Sequence, residues 1–243
     1  MIVLSVGMPR AGSGWYYNLT NDLMLANGAQ DARQIRQRFH LTRILTEVNC
    51  NIGALTPRRI LAVLLPSLLG NTFAIKAHAA PSSTALLAIR MGLIRPTYIY
   101  RDPRDAMLSA MENGQRALQR GHPNAFSPYV EFSAALNFML GYLHIWEAWM
   151  QCEQALLVKY ENLLSDYDVE VNRLLHFLDL RTDAAHLQLT IEKYRPEQAK
   201  PNQKGLHYVH GRIGRFRQKF NQEQQAILAE KMGSYLNRMG YEP

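Results

Sequence analysis

Met8-Pro9-Arg10-Ala11-Gly12-Ser13-Gly14-Trp15 follows the apolar run Ile2 to Val6, and the switch from branched to small residues reads as a strand turning into a helix. Gly12 and Gly14 let the backbone turn without a Cβ penalty and aim successive N–H groups at an anion, and the helix start adds its positive dipole end. Arg10 puts a cation beside them. Gly7 and Gly12 have the spacing of a nucleoside-triphosphatase loop, G-x-x-x-x-G-K-[ST], but Ser13-Gly14 replaces the Lys and hydroxyl that serve a metal-bound polyphosphate. The loop is suited to a nucleotide phosphate held without such a metal.

A second turn sharpens this reading. In Thr97-Tyr98-Ile99-Tyr100-Arg101-Asp102-Pro103-Arg104-Asp105-Ala106-Met107-Leu108-Ser109, a short β-type run breaks into a helix that Asp102 can cap and Pro103 can open. Arg101 ends the strand, and Ser109 lies about two turns into the helix folding back beside it, so a bidentate cation and a hydroxyl can converge on one anion. Two phosphate sites in one domain imply a doubly phosphorylated nucleotide.

At these residues the chain resembles the cytosolic-type sulfotransferases that use 3′-phosphoadenosine 5′-phosphosulfate (PAPS). PRAGSGW is similar to their 5′-phosphosulfate loop, P-K-S-G-T-T-W, and YRDPRDAMLS to their 3′-phosphate motif, with Arg and Ser eight positions apart. Ile75-Lys76-Ala77-His78 resembles the K-x-H segment that carries their catalytic base. Leu157-Val158-Lys159-Tyr160-Glu161-Asn162-Leu163-Leu164 is similar to their L-x-x-Y-E-x-L-L, and His210-Gly211-Arg212-Ile213-Gly214-Arg215-Phe216-Arg217-Gln218-Lys219-Phe220 is a looser match to K-G-x-x-G-x-W-x-x-x-F. The pieces run in order from about Ile2 to Phe220. The resemblance implies PAPS as co-substrate, the 3′,5′-bisphosphate PAP as product and no metal.

It also implies roles. His78 is the base, an imidazole being neutral before the reaction and cationic during it. Arg10 takes the place of the family's Lys at the leaving phosphate, stabilising charge without readily giving up its proton, and Lys76 assists. Ala11, Gly12, Ser13 and Gly14 hold the 5′-phosphate; Gly14 stands where the family has Thr, which removes a side-chain donor. Trp15 and Tyr160 lie against adenine, and Arg101 and Ser109 hold the 3′-phosphate. Where the family has basic residues in the late loop, this chain has Val209-His210-Gly211, so Arg212, Arg215 or Arg217 substitutes beside His210 and Gly211. The acceptor pocket is expected from Tyr16, Tyr17, Phe39, His40 and the 113–130 loop, whose aromatic content suits a hydroxyl or amine on a small or lipid-like molecule.

The remaining sequence fits an α/β, P-loop-like three-layer fold, a central parallel sheet flanked by helices, in one domain over 1–243. With 243 residues and 47% hydrophobic content the chain can bury a sizeable core. The 27 Lys and Arg against 20 Asp and Glu leave a net charge of +7, which a polyanionic nucleotide explains without nucleic acid, for which no recognition helix is present. Cys50 and Cys152 lack metal-type spacing and read as thiols in a reducing compartment. No run is long enough to span a membrane, and Ile2 to Val6 is too short for a signal-peptide core, so a soluble cytoplasmic protein, able to form oligomers, is expected.

Strands are expected near 2–6, 73–77, 97–101 and 156–160, and helices from Trp15 to Ala26, through 30–70 with Leu41, Ile44, Leu45 and Val48 on one face, from Glu131 to Cys152, and from Asn221 to Arg238. Ile60 to Leu65 reads as a buried run before Pro66. The most loop-like stretches are Asn113 to Pro128 and Arg195 to Gly214. Two alternatives share the sheet: a metal-dependent nucleotide or small-molecule kinase, which calls for a GK[ST] end and Mg²⁺-binding carboxylates, and a non-catalytic nucleotide-binding protein.

Overall fold

The chain is described by a computed structural model over residues 1–180, 185–198 and 212–243. Strands β1 (Ile2–Gly7), β2 (Phe73–Ala77), β3 (Ile94–Tyr100) and β4 (Leu156–Lys159) form a parallel sheet in the order β2-β1-β3-β4. Val6 lies opposite Ala77, Gly7 opposite Ile99, and Tyr100 opposite Lys159. The register therefore brings the carboxyl ends of all four strands to one edge. The chain leaves β1 toward β2 on one side and continues to β3 on the other, and the reversal opens a crevice at that edge, where α/β sheets bind ligands.

Helices α1 (Ser13–Ala26), α2 (Ala32–Arg38), α3 (Pro57–Leu68), α4 (Ser83–Arg90), α5 (Pro103–Gln119), α6 (Phe132–Met150), α7 (Tyr160–Ser165), α8 (Tyr167–Phe177), α9 (Ala185–Lys193), α10 (Phe216–Lys219) and α11 (Gln222–Met239) cover the sheet. Period-two alternation divides the core. Ile2, Leu4, Val6, Phe73, Ile75 and Tyr98 pack toward α3, α4, α5, α6 and α11, while Val3, Ala74 and Ile99 pack toward α1, α8 and α9. The result is the three-layer α/β architecture expected from the sequence.

The capping chemistry is as read. Asp102 accepts a hydrogen bond from the Arg104 N–H with Pro103 in the first turn of α5, Asn221 forms a capping box with Gln224, and Gly240 ends α11 in the left-handed region. Strand β3 begins earlier than expected, at Ile94. Pro96 is tolerated there because β4 pairs only from Thr97 onward, so no ladder bond to β4 is lost.

Two expectations need correcting. The helical reading of 30–70 fails between α2 and α3, apart from a single 3-10 turn at Leu41–Arg43. There the Lys76 N–H donates to the Cys50 carbonyl and the Ile52 N–H to the Lys76 carbonyl, at 3.2 and 2.9 Å, so the segment pairs with the edge of β2. Val48 is exposed rather than sharing a face with Leu45, and Leu61 and Leu65 are exposed within the supposed buried run. α3 also continues through Pro66. The second correction concerns 113–128, whose first part is the last turns of α5. A Cβ on Gly114 would lie 2.3 Å from the Phe126 carbonyl oxygen, so glycine at this point lets the following loop fold against the helix.

Candidate active site

Gly12, between β1 and α1, has φ +76°, and a Cβ there would sit 2.6 Å from the Tyr160 ring. The position needs glycine both for its left-handed backbone and for the close approach of that ring. α1 begins without a side-chain cap, so the N–H groups of its first turn lie at the crevice where an anion can take them. Arg10, also left-handed at φ 64°, donates from Nε to Ser109 Oγ at 3.1 Å, and its guanidinium lies 5.5 Å from the centre of the Phe126 ring. The first loop and α5 thus meet through one contact.

Arg101 directly follows β3 and is buried. Its Nη2 donates to Asp105 Oδ2 at 3.2 Å and to the Arg212 carbonyl at 2.8 Å, and the guanidinium stacks over Tyr160 at 4.6 Å. Its Nε–H is buried with no acceptor among the described residues. Asp105 holds more than Arg101: its two oxygens also accept from the Gly214 and Phe216 N–H groups at 2.7 and 3.0 Å. A single buried carboxylate therefore fixes the guanidinium and the 214–216 turn relative to each other.

His78 follows β2. Its Nδ1 lies 2.6 Å from the Gly7 carbonyl oxygen. A carbonyl can only accept, so Nδ1 carries the proton and Nε2 is left with its lone pair. Behind it, the Trp149 indole N–H donates to the Ala79 carbonyl at 3.0 Å, fixing the turn that carries the imidazole. Burial and the neighbouring Lys76 cation lower the His78 pKa to about 4. Burial and Arg10 lower Lys76 to about 8, and burial with Arg116 and Arg101 lowers Arg10 to about 10. Each shift has the same physical origin, a desolvated cluster of positive charge.

These groups line one cavity of about 670 Å³ together with Ser13, Gly14, Trp15 and Ser109. Among the described residues its wall carries Arg10, Lys76, Arg101, Arg116, Arg212 and Arg215 against the single carboxylate of Glu112. Such a lining matches a polyanion. The first turn of α1, Arg101 and Ser109 all border this cavity.

The sulfotransferase domain family matches residues 2–240. The chain belongs to this family. It is an enzyme of sulfuryl transfer. No curated protein matches it in sequence. Among solved structures it is similar to mouse sulfotransferase SULT7A1 complexed with PAP, at 13% identity and TM-score 0.61 over 97% of this chain and 84% of that one. It is similar also to retinol dehydratase in complex with androsterone and inactive cofactor PAP, at 18% and 0.62 over 97% and 80%. The complex of retinol dehydratase with retinol and PAP matches at 18% and 0.63 over 97% and 81%. At these identities the likeness is one of fold.

In this sulfotransferase Trp15 is both a cavity residue and a core residue. Its indole N–H donates to the Tyr194 carbonyl at 2.9 Å, and it packs edge-on to Tyr160 and parallel to Tyr167. Of the late-loop positions, His210 and Gly211 lie outside the described residues. Arg212 and Arg215 reach the cavity, Arg215 through a paired contact with Glu112. Arg217 instead lies over the Phe216 ring. Among the described residues, no group of three or more His, Cys, Asp or Glu side chains could hold a metal ion.

The far wall departs from the sequence reading. Tyr16 and Tyr17 are fully buried in the core, where the Tyr17 hydroxyl donates to the Ala74 carbonyl of β2 at 3.5 Å, and Phe39 packs against the other core. Neither they nor His40 line the cavity. Asn113, Asn124, Phe126 and Tyr129 of the 113–130 segment do, joined by Asn51, Phe138 and Tyr142. Tyr129 stacks on Phe138 at 4.2 Å, and Phe138 meets Tyr142 edge-on at 4.9 Å. Phe138 and Tyr142 are four residues apart on α6, a spacing that signals one helical face but not whether it meets core or ligand.

Proposed function

We propose that this sulfotransferase moves the sulfuryl group of 3′-phosphoadenosine 5′-phosphosulfate to a hydroxyl or amine of a small or lipid-like acceptor by in-line transfer, with His78 as base. The whole chain, 1–243, acts as one domain. The observation that carries the reading is the His78 Nδ1–H donated to Gly7, which leaves a bare Nε2 in a cavity whose other wall is a phosphate cradle.

In the transfer the acceptor oxygen forms a bond to sulfur, the bond from sulfur to the 5′-phosphate oxygen breaks, and the acceptor proton passes to His78 Nε2. Arg10 and Lys76 stabilise charge on the transferred oxygens and on the departing phosphate. A lone imidazole with a pKa near 4 is a weak base. Occupancy of the cavity by a polyanion offsets the cationic cluster and raises that value toward working pH. Arg101 and Ser109 hold the 3′-phosphate, Tyr160 and Trp15 border the adenine, and Ala11 to Gly14 hold the 5′-phosphate.

The acceptor lies against Phe126, Tyr129, Phe138 and Tyr142. This aromatic wall supports a flat or lipid-like molecule over a sulfated glycan, and the retinol and androsterone held by the dehydratase are of that class. We also assign the enzyme to the cytoplasm. Cys50 and Cys152, both buried and unpaired, support this, and no described helix is long and apolar enough to cross a membrane.

The test is transfer of labelled sulfate from PAPS to a panel of phenols, alcohols and amines in the presence of a chelator, with wild type and His78→Ala. Transfer by wild type alone is expected. Binding of the nucleotide without transfer to any acceptor overturns the catalytic reading, and transfer that depends on an added divalent ion overturns its metal-free form.

A further inference from the structure

Leu61, Leu65 and Leu68 lie along one stripe of α3, with Leu69 at its end, and Leu87 and Met91 lie one turn apart on and just beyond the adjoining α4. All six are more than half exposed. They make up six of the eleven exposed large apolar side chains among the described residues. An apolar surface of this extent on one pair of helices marks an interaction site. The inner faces of the same helices, through Ile60, Val63, Leu64, Ala85 and Ile89, are already used by the core, so the outer stripes are not needed for folding.

The charges that the two helices and the chain joining them carry have one sign. No Asp or Glu occurs between Glu47 and Asp102, a span that contains both helices, while Arg58 and Arg90 are exposed at the start of α3 and the end of α4. A second copy of the chain would bring like charge against like. We infer that this face docks peripherally on an anionic lipid surface, the leucines entering the headgroup boundary and the arginines meeting lipid phosphates. The reading goes beyond sulfuryl transfer and does not depend on the donor. β2, whose end carries Lys76 and His78, follows α3 and precedes α4 in the chain.

Flotation of the full chain with vesicles tests it, using phosphatidylcholine alone and phosphatidylcholine with phosphatidylserine. Binding only to the anionic vesicles is expected. Leu65→Glu with Leu68→Glu should weaken it by about tenfold or more, and each of Arg58→Glu and Arg90→Glu by roughly fivefold. All variants should keep the wild-type unfolding midpoint, since each change is exposed. Failure to bind, equal binding to neutral vesicles, or binding untouched by the substitutions overturns the proposal. A concentration-dependent dimer abolished by the leucine changes also overturns it, by assigning the face to a second copy.

Discussion

The His78 Nδ1–H donates to the Gly7 carbonyl at 2.6 Å, joining the end of β2 to the end of β1. Gly7 is also the residue from which the phosphate loop departs. One hydrogen bond therefore sets the tautomer of the imidazole and ties its position to the loop. His78→Ala removes the acceptor for the substrate proton while leaving the cradle intact. The turnover number should fall by about 10²- to 10⁴-fold, with affinity for the 3′,5′-bisphosphate within a few-fold of wild type. Calorimetric titration beside steady-state kinetics reads both, and a parallel loss of binding would assign His78 a structural role.

The pH dependence follows from two lowered pKa values. His78 must be neutral to act; with its pKa near 4 in the free protein it is neutral at all higher pH, so kcat/KM for the sulfuryl donor, which reports the free protein, should show no inflection near the ordinary histidine value of about 6.5. Lys76, near 8, is cationic below that pH and neutral above it. The rate should therefore decline on the alkaline side from about pH 8, and Lys76→Arg should move that limb upward. Binding of the bisphosphate near pH 8 should draw protons onto Lys76, seen as a binding enthalpy that varies with buffer ionisation enthalpy.

Arg101 keeps a buried Nε–H without an acceptor among the described residues, and it lines the same cavity as Ser109. Arg101→Ala should weaken the 3′,5′-bisphosphate by about ten- to a hundredfold and adenosine 5′-phosphate much less. Competition binding with the two nucleotides separates the cases, because equal weakening would mean that Arg101 does not read the 3′-phosphate.

Asp105 accepts from Arg101, Gly214 and Phe216. Asp105→Ala strands a buried guanidinium and releases the 214–216 turn. A loss of roughly 3 kcal/mol in denaturant unfolding is expected, together with weaker bisphosphate binding. Retained stability would show that the carboxylate is dispensable to the fold.

Gly114→Ala places a methyl group against the Phe126 carbonyl. The loop must move, taking Phe126 from Arg10 and from the aromatic wall. The acceptor KM should rise while the KM for the sulfuryl donor stays nearly constant, as initial-rate kinetics with each substrate varied would reveal.

That the two strand-end turns share one basic cavity was legible in the sequence because each turn is local. Gly12 and Arg101 each sit at a strand-to-helix junction, where turn residues, a cap and a parallel sheet edge converge by rule, and Ser109 lies two turns into the second helix. The acceptor half depends on packing between distant elements. Phe138 and Tyr142 look like any buried helical stripe until α6 is placed beside the 124–129 loop, and Tyr16 and Tyr17 look available until α1 is laid on the sheet. The failure of the helical reading over 44–56 has the same origin. Pairing of Cys50 and Ile52 with the Lys76 backbone overrode a local periodicity that pointed to helix. The role of Asp105 was not legible because two of its three partners, Gly214 and Phe216, lie more than a hundred residues away.

In the proposed function one cavity holds both ends of a bisphosphorylated adenosine, with the His78 imidazole at the sulfuryl end. A crystal structure of the chain soaked with the 3′,5′-bisphosphate tests it most directly. The 5′-phosphate is expected on the N–H groups of the 12–15 turn within reach of Arg10 and Lys76, and the 3′-phosphate against Arg101 and Ser109 Oγ. A nucleotide bound in the opposite sense, or outside the cavity, would contradict it.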